Sequence, residues 1–136
     1  MKATVVENPK AQAAGRPVIG VVDADIAMGE ALQSLLRSHG YEVLCQTSAE
    51  EALADLSRFD LLIVGEEKLP GMSGIELIEK MRGRGTPLPS IVLTSPGNIP
   101  LTVRAIRAGA ADCLEKPFFK VVLLGRIKQI LSNPTA

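Results

Sequence analysis

The chain has 136 residues, and its 15 basic residues equal its 15 acidic residues, so the formal net charge is zero. This length predicts one domain with room for a sizeable core, and the balanced charge argues against direct binding of nucleic acid. No apolar run approaches the ~18 residues of a membrane span, and the first residues lack the apolar stretch of a signal peptide. Because the two cysteines make no disulfide framework, we expect both to be reduced and the protein to be cytoplasmic.

Five short apolar runs predict buried β-strands, and each is followed by a stretch with helical periodicity. The predicted strands cover residues 18–22, 41–45, 61–65, 90–94 and 111–114. This alternation predicts an α/β fold, a doubly wound parallel sheet with helices on both faces.

The predicted helices carry their own boundary signals. Ser48 with Glu51, and Ser73 with Glu76, have the spacing of capping boxes at the starts of the second and third helices. The fourth helix is predicted to end near residue 109 with Val103 and Ile106 inward, and the last to begin near residue 119.

The two ends of the chain are predicted to lie outside the domain. Residues 1–16 have no periodicity and favour a flexible tail. The domain then covers residues 17–131, and residues 132–136 form a short second tail.

Polar side chains follow four of the predicted strands: Asp23 with Asp25, Glu66, Thr94 and Lys116. The carboxyl ends of parallel strands meet at one edge of a sheet, where ligands collect. Carboxylates there can hold a divalent metal, whereas a hydroxyl and an ammonium can bind phosphoryl oxygens. Since no glycine-rich phosphate loop is present, the pattern indicates phosphoryl chemistry without a nucleotide.

The chain contains five short motifs: Val21-Val22-Asp23-x-Asp25, Leu69-Pro70-Gly71-Met72-Ser73-Gly74, Leu93-Thr94, Ala108-Gly109-Ala110-x-Asp112 and Glu115-Lys116-Pro117-Phe118. Through these motifs, residues 17–131 resemble the receiver domain of two-component response regulators. Arg84 to Phe118 is most similar to receivers that precede a helix-turn-helix output domain. The resemblance implies a flavodoxin-like strand order 2-1-3-4-5, five helices and a signalling module that is not an enzyme.

The position of the phosphoryl acceptor differs from the family pattern. The family carries an aspartate four residues before the proline, and that position is Glu66 when counted back from Pro70. Counting forward from Asp60 gives Gly65 instead. We assign the position to Glu66 because the proline motif is better matched, and neither count places an aspartate there.

The resemblance also implies a metal pair after the first strand. Two acidic residues there help to hold Mg²⁺ in the family; the first is Asp23, but the second is replaced by Ala24. Asp25 has two interpretations, as part of an acidic pocket or as the N-cap of the first helix.

Other family positions are matched in part. Thr94 corresponds to the switch hydroxyl and Lys116 to the phosphate-binding lysine, and the bond to Pro117 is cis in most members. Cys113 stands where the family carries a switching phenylalanine or tyrosine. Its alternatives are a small core residue or an oxidation sensor.

These changes predict a receiver that is not phosphorylated in the usual way. The Glu66 carboxylate lies one methylene further out, and a misplacement of ~1 Å can cost ~100-fold in rate. With Ala24, metal binding is expected to be weak or absent, and no cofactor is required. Glu66 would instead pair with Lys116 and accept from Thr94, imitating part of the activated state with less charge than a phosphoryl group. Whether this state is on-like or off-like is left open.

The expected partners are proteins: a sensor kinase, a photoreceptor or another regulator, or a second copy of this chain. Arg104 and Arg107 on the fourth helix mark a candidate partner face, with a solvated helix face as the alternative. Competing functions are a conventional Mg²⁺-dependent phospho-acceptor and a fragment of a DNA-binding regulator. A flavin or nucleotide binder is disfavoured because aromatic residues make up only 3% of the chain.

Overall fold

Five parallel strands form one sheet in the computed structural model, which describes residues 15–65, 71–86 and 88–132. The sheet order is β2-β1-β3-β4-β5, with every neighbouring pair parallel, as predicted. The strands are β1 (Val18–Val22), β2 (Glu42–Gln46), β3 (Leu61–Gly65), β4 (Ser90–Thr94) and β5 (Asp112–Glu115).

Five α-helices accompany the sheet in the described residues, and a 3₁₀ turn covers Leu56–Arg58. None of these helices combines the length and the apolar character that a membrane crossing requires. The helices are α1 (Ile26–Arg37), α2 (Ala49–Ala54), α3 (Gly74–Gly83), α4 (Ile99–Ala108) and α5 (Lys120–Ser132).

The residue two positions before β1 forms an ion pair with the sheet. An Arg16 nitrogen lies 3.3 Å from a carboxylate oxygen of Glu42 in β2. Residues 1–14 and 133–136 lie outside the described residues, so the predicted tails remain predictions.

The core has two sides because successive side chains of a strand point to opposite faces of the sheet. In β1, Ile19 and Val21 pack with the buried sides of α1 and α5. Val18 and Val22 face the other way, toward α2 and α3. Every residue of β1, β3 and β4 is buried, as expected for central strands covered on both faces.

The prediction for the inward face of α4 is wrong. Val103 and Ile106 are 41% and 49% exposed, whereas Ala105 is fully buried and Ala108 nearly so. The alanines pack with Ile75, Ile78 and Val92 of α3 and β4. Small side chains allow α4 to approach its neighbours closely, so the larger residues are left on the solvent side.

The predicted capping box is complete at α3, whereas at α2 the described hydrogen bonds include only its serine half. At α3, Ser73 Oγ accepts from the Glu76 N–H at 3.1 Å, and Glu76 Oε1 accepts from the Ser73 N–H at 2.8 Å. At α2, Ser48 Oγ accepts from the Glu51 N–H at 3.2 Å. A β-carbon added at Gly74 would lie 2.7 Å from the Gly65 carbonyl oxygen, so glycine lets α3 begin against the end of β3.

Candidate functional site

Three of the predicted site residues meet at the carboxyl edge of the sheet. Thr94 ends β4, and the Lys116 N–H, directly after β5, donates to the Thr94 carbonyl at 2.7 Å. Asp23 follows β1, and the side chains of Asp23 and Thr94 are both buried. The parallel register therefore places a carboxylate, a hydroxyl and an ammonium at the same edge of the sheet, after three different strands.

The Asp23 carboxylate is held from two directions. Oδ1 accepts from the Asp25 N–H at 2.8 Å, and Oδ2 lies 4.0 Å from Lys116 Nζ. The Asp23 side chain is 1% exposed and that of Lys116 is 19% exposed. A buried carboxylate is tolerated when donors and an opposite charge surround it, and this arrangement supplies both.

Gly65, the last residue of β3, lies directly against this carboxylate. A β-carbon added at Gly65 would contact Asp23 Oδ2 and would lie 2.7 Å from Cγ and 3.1 Å from Oδ1. Real β-carbons do not approach other atoms so closely, and therefore glycine is needed at this position while Asp23 keeps its conformation.

The Thr94 hydroxyl is a second buried polar group at this edge. Thr94 is fully buried, and its Oγ1 has no hydrogen-bond partner among the described residues. Leaving a buried hydroxyl without a partner costs free energy, so a hydrogen bond formed by this hydroxyl would be favourable.

Glu66, the predicted substitute for the acceptor, lies outside the described residues, which resume at Gly71. Its expected contacts with Lys116 and Thr94 therefore remain a proposal.

The residues after β1 do not form a metal site in the described part of the chain. Asp25 caps α1, where its Oδ1 accepts from the N–H groups of Ala27 and Met28, so the N-cap interpretation is confirmed. Ala24 is exposed and supplies no ligand. The described residues contain no group of three or more histidine, cysteine or acidic side chains placed to hold a metal. Mg²⁺ is usually held by one or two carboxylates together with water, so the expected weak Mg²⁺ binding remains a prediction.

The remaining predicted positions lie around β5. The Lys116–Pro117 peptide bond is cis, as the resemblance implies. Cys113 is partly buried and packs against the core beside α4, with its Sγ 3.7 Å from Thr102 Oγ1. This placement is typical of a small core residue.

One contact at this edge was missed by the sequence analysis. Glu115 Oε2 accepts from the Gly97 N–H at 2.9 Å and so ties the end of β5 to the loop after Thr94. The signal available in the sequence was a carboxylate at a strand end, next to a lysine already assigned to the site.

The candidate partner face is solvent-exposed. Arg104 and Arg107 are exposed on α4, together with the apolar Ile99, Val103 and Ile106. Exposed apolar residues of this size favour an interface, and the partner role of the arginines remains a proposal.

Comparisons with known proteins agree with this architecture. The family model for the response regulator receiver domain matches residues 19–128. Response regulator protein TmoT of Ectopseudomonas mendocina is 40% identical over 115 residues, 84% of this chain and 52% of that protein. Transcriptional regulatory protein FixJ of Azorhizobium caulinodans is 39% identical over 116 residues, 85% of this chain and 55% of that protein.

Among solved structures, a CheY-like response regulator receiver domain protein from Methanospirillum hungatei JF-1 superposes with a TM-score of 0.79. It is 31% identical, and the match covers 88% of this chain and 96% of that one.

The chain belongs to the response regulator receiver domain family. It is thus a module of two-component signal transduction, a class that interacts with sensor kinases, and not a catalytic enzyme. It spans about half the length of the two regulators named above.

Proposed function

We propose that this receiver signals without being phosphorylated, through contacts with other proteins. The observation that carries the proposal is the end of β3, where Gly65 closes the strand and Glu66 follows, with no aspartate at either position. An acyl phosphate on a receiver requires a correctly placed carboxylate and a metal that neutralises the transferred group. Ala24, in place of the second metal-binding acid, opposes the same chemistry.

Glu66 has a part in this proposal. We propose that its carboxylate pairs with Lys116 and accepts from Thr94, and that this single negative charge holds the domain near one signalling conformation without a kinase. The support is the pair of retained groups, a partly buried ammonium and a buried hydroxyl that has no hydrogen-bond partner within the described residues. A pull-down of partner proteins with the wild type and with Glu66→Ala tests this part, and equal recovery by both would contradict it.

The main proposal is tested by amide NMR with and without Mg²⁺ and beryllofluoride, a phosphoryl mimic. We expect no shift changes around Thr94 and Lys116, and no covalent mass gain after incubation with acetyl phosphate and Mg²⁺. A receiver with the usual aspartate serves as the positive control. Shifts that spread from the pocket to α4 would overturn the proposal and would indicate a conventional phospho-accepting receiver.

A second candidate concerns the whole protein. Because the chain spans about half the length of TmoT and FixJ, we propose that it acts as the receiver part of a longer regulator. The DNA-binding part would be a separate domain, since this one has zero formal net charge. Immunoblotting of the native host with antibodies to this domain tests the idea, because a band of only 14.4 kDa would contradict it.

A further inference from the structure

We infer that Asp23 occupies the acceptor place of this receiver, so that the pocket is closed by its own carboxylate. This inference rests on the proposed function and names the group that blocks the site. It assigns a joint role to Asp23 and Gly65. The Asp23 carboxylate fills the space that an acceptor side chain would need, and Gly65, which has no side chain, leaves that space open for the carboxylate.

The first argument is steric. A β-carbon at Gly65 would lie 2.7 Å from Asp23 Cγ, and it would be closer still to Oδ2. No positive φ accompanies this glycine, so its backbone conformation is open to other residues. The carboxylate of Asp23, and not the backbone, excludes a side chain at the end of β3.

The second argument concerns charge. The resemblance assigns phosphate binding to Lys116, and in this chain its ammonium lies 4.0 Å from Asp23 Oδ2. Asp23 Oδ1 is held by the Asp25 N–H, which directs the carboxylate inward. Asp23 thus supplies counter-charge to Lys116 from β1.

The third argument concerns the two ways of counting to the acceptor. The residue at the end of β3 that faces Asp23 is Gly65, so the place that the Asp23 carboxylate fills is the acceptor place given by the count forward from Asp60. One more residue then separates this position from Pro70 than the family pattern has. Restoring an aspartate at residue 66 would therefore leave the Asp23 block in place.

A double-mutant cycle tests the inference by chemical denaturation. Gly65→Ala in the wild type is expected to raise the unfolding equilibrium constant roughly 10- to 100-fold, as overpacking does. In the Asp23→Ala background, Gly65→Ala should alter the unfolding equilibrium constant by less than about threefold, because the obstructing carboxylate is gone. An equal effect in both backgrounds, or no effect in either, overturns the inference.

Two glycines provide matched controls. At Gly20 in β1, an added β-carbon would meet Leu62 at 2.6 Å and Phe59 at 2.9 Å, so Gly20→Ala should destabilise both backgrounds equally. At Gly125 in α5, no atom of the described residues outside the local helix backbone and the chain neighbours lies within 4 Å of an added β-carbon, so Gly125→Ala should destabilise neither background. Relief of the Gly20 variant by Asp23→Ala would show a general effect and overturn the inference.

An exchange variant covers the case in which Gly65→Ala or Asp23→Ala does not fold. Gly65→Asp places two carboxylates in one buried space, whereas Asp23→Gly with Gly65→Asp moves the single carboxylate to β3. We expect the exchange to recover most of the stability lost in Gly65→Asp, and an exchange variant no more stable than Gly65→Asp overturns the inference. A wild type that responds to beryllofluoride would overturn both the proposed function and the closed pocket, whatever the coupling. If Gly65→Ala and Asp23→Ala show no coupling, and the wild type does not respond to beryllofluoride, the inference alone is overturned.

Discussion

At the scale of single residues, the Asp23 carboxylate determines the properties of the pocket. It is almost completely buried, and a backbone N–H and the Lys116 ammonium both face it. If one member of such a pair is removed, the other charge stays buried without compensation. The resulting loss of stability is larger than the net contribution of the intact pair. Stability measurements at Lys116 therefore report on Asp23.

Lys116→Met is predicted to lower the free energy of unfolding by about 1–3 kcal/mol, because Asp23 keeps its buried charge and loses a nearby ammonium. Urea denaturation at neutral pH measures the change. The exposed Lys128 in α5 is the control, and Lys128→Met should stay within about 0.5 kcal/mol of the wild type. Equal effects of the two substitutions would mean that Lys116 contributes no more than a surface lysine.

Tyr41 gives a pH-dependent prediction. Burial raises the pKa of its phenol above the ordinary tyrosine value of about 10. The fold thus favours the neutral phenol, and this stabilisation is lost as the pH rises past that ordinary value toward the raised one. The chain has one tyrosine and no tryptophan, so ultraviolet absorbance follows tyrosinate formation directly.

We expect the tyrosinate transition of the folded protein to lie above that of the urea-unfolded chain. Tyr41→Phe should flatten the fall in stability over the same alkaline range. Coinciding transitions in folded and unfolded protein would contradict the prediction.

At the scale of elements, α4 shows how packing selects between two apolar stripes. Leu101, Ala105 and Ala108 share one helical spacing, and Ile99, Val103 and Ile106 share another. Hydrophobicity alone favours the second stripe, but the first is buried because alanines let α4 lie close to α3 and β4. The Arg82 guanidinium of α3 also donates to the Arg107 carbonyl at 2.5 Å, which joins the two helices at this end.

Two substitutions on α4 test this orientation. Ala105→Leu is predicted to destabilise the protein by about 1–3 kcal/mol, because it overfills a closed contact. Ile106→Gln should change stability by about 0.5 kcal/mol or less, because that side chain is half exposed. Denaturant titration compares the two, and the reverse order of effects would indicate a rotated helix.

At the scale of the whole molecule, the core is built by residues between Val18 and Ile127. The sheet is central, and both of its faces are covered by helices whose apolar sides pack on it. The family match covers nearly the same residues, 19–128. This agreement identifies the unit that should fold independently.

A variant limited to residues 15–132 is predicted to unfold cooperatively, with a melting temperature within about 2 °C of the full chain. It retains every strand and helix that the structure describes. As a control, a variant that begins at residue 20 loses the fully buried Ile19 of β1 and should show no cooperative transition. A large fall in melting temperature for the 15–132 variant would assign part of the core to the ends of the chain.

Much of the fold was predictable from the sequence because its signals are local. The buried strands are uninterrupted apolar runs, and β1, β3 and β4 begin and end at the predicted residues. The serine caps at Ser48 and Ser73 depend on spacings of three residues and were found where predicted. The one-residue shifts of β2 and β5 arise at the sheet edges, where pairing on one side alone sets the ends of a strand.

Other features depended on contacts between distant parts of the chain. By itself, the sequence determined the strand-helix alternation and the residues Asp23, Thr94 and Lys116 at the carboxyl edge of the sheet. Only the tertiary structure decided which stripe of α4 is buried and that the Asp23 carboxylate lies against Gly65 beside Lys116. The physical reason is that helix caps and apolar periodicity act over a few residues. Close packing and the placement of a buried charge depend instead on neighbours brought together from β1, β3 and β5.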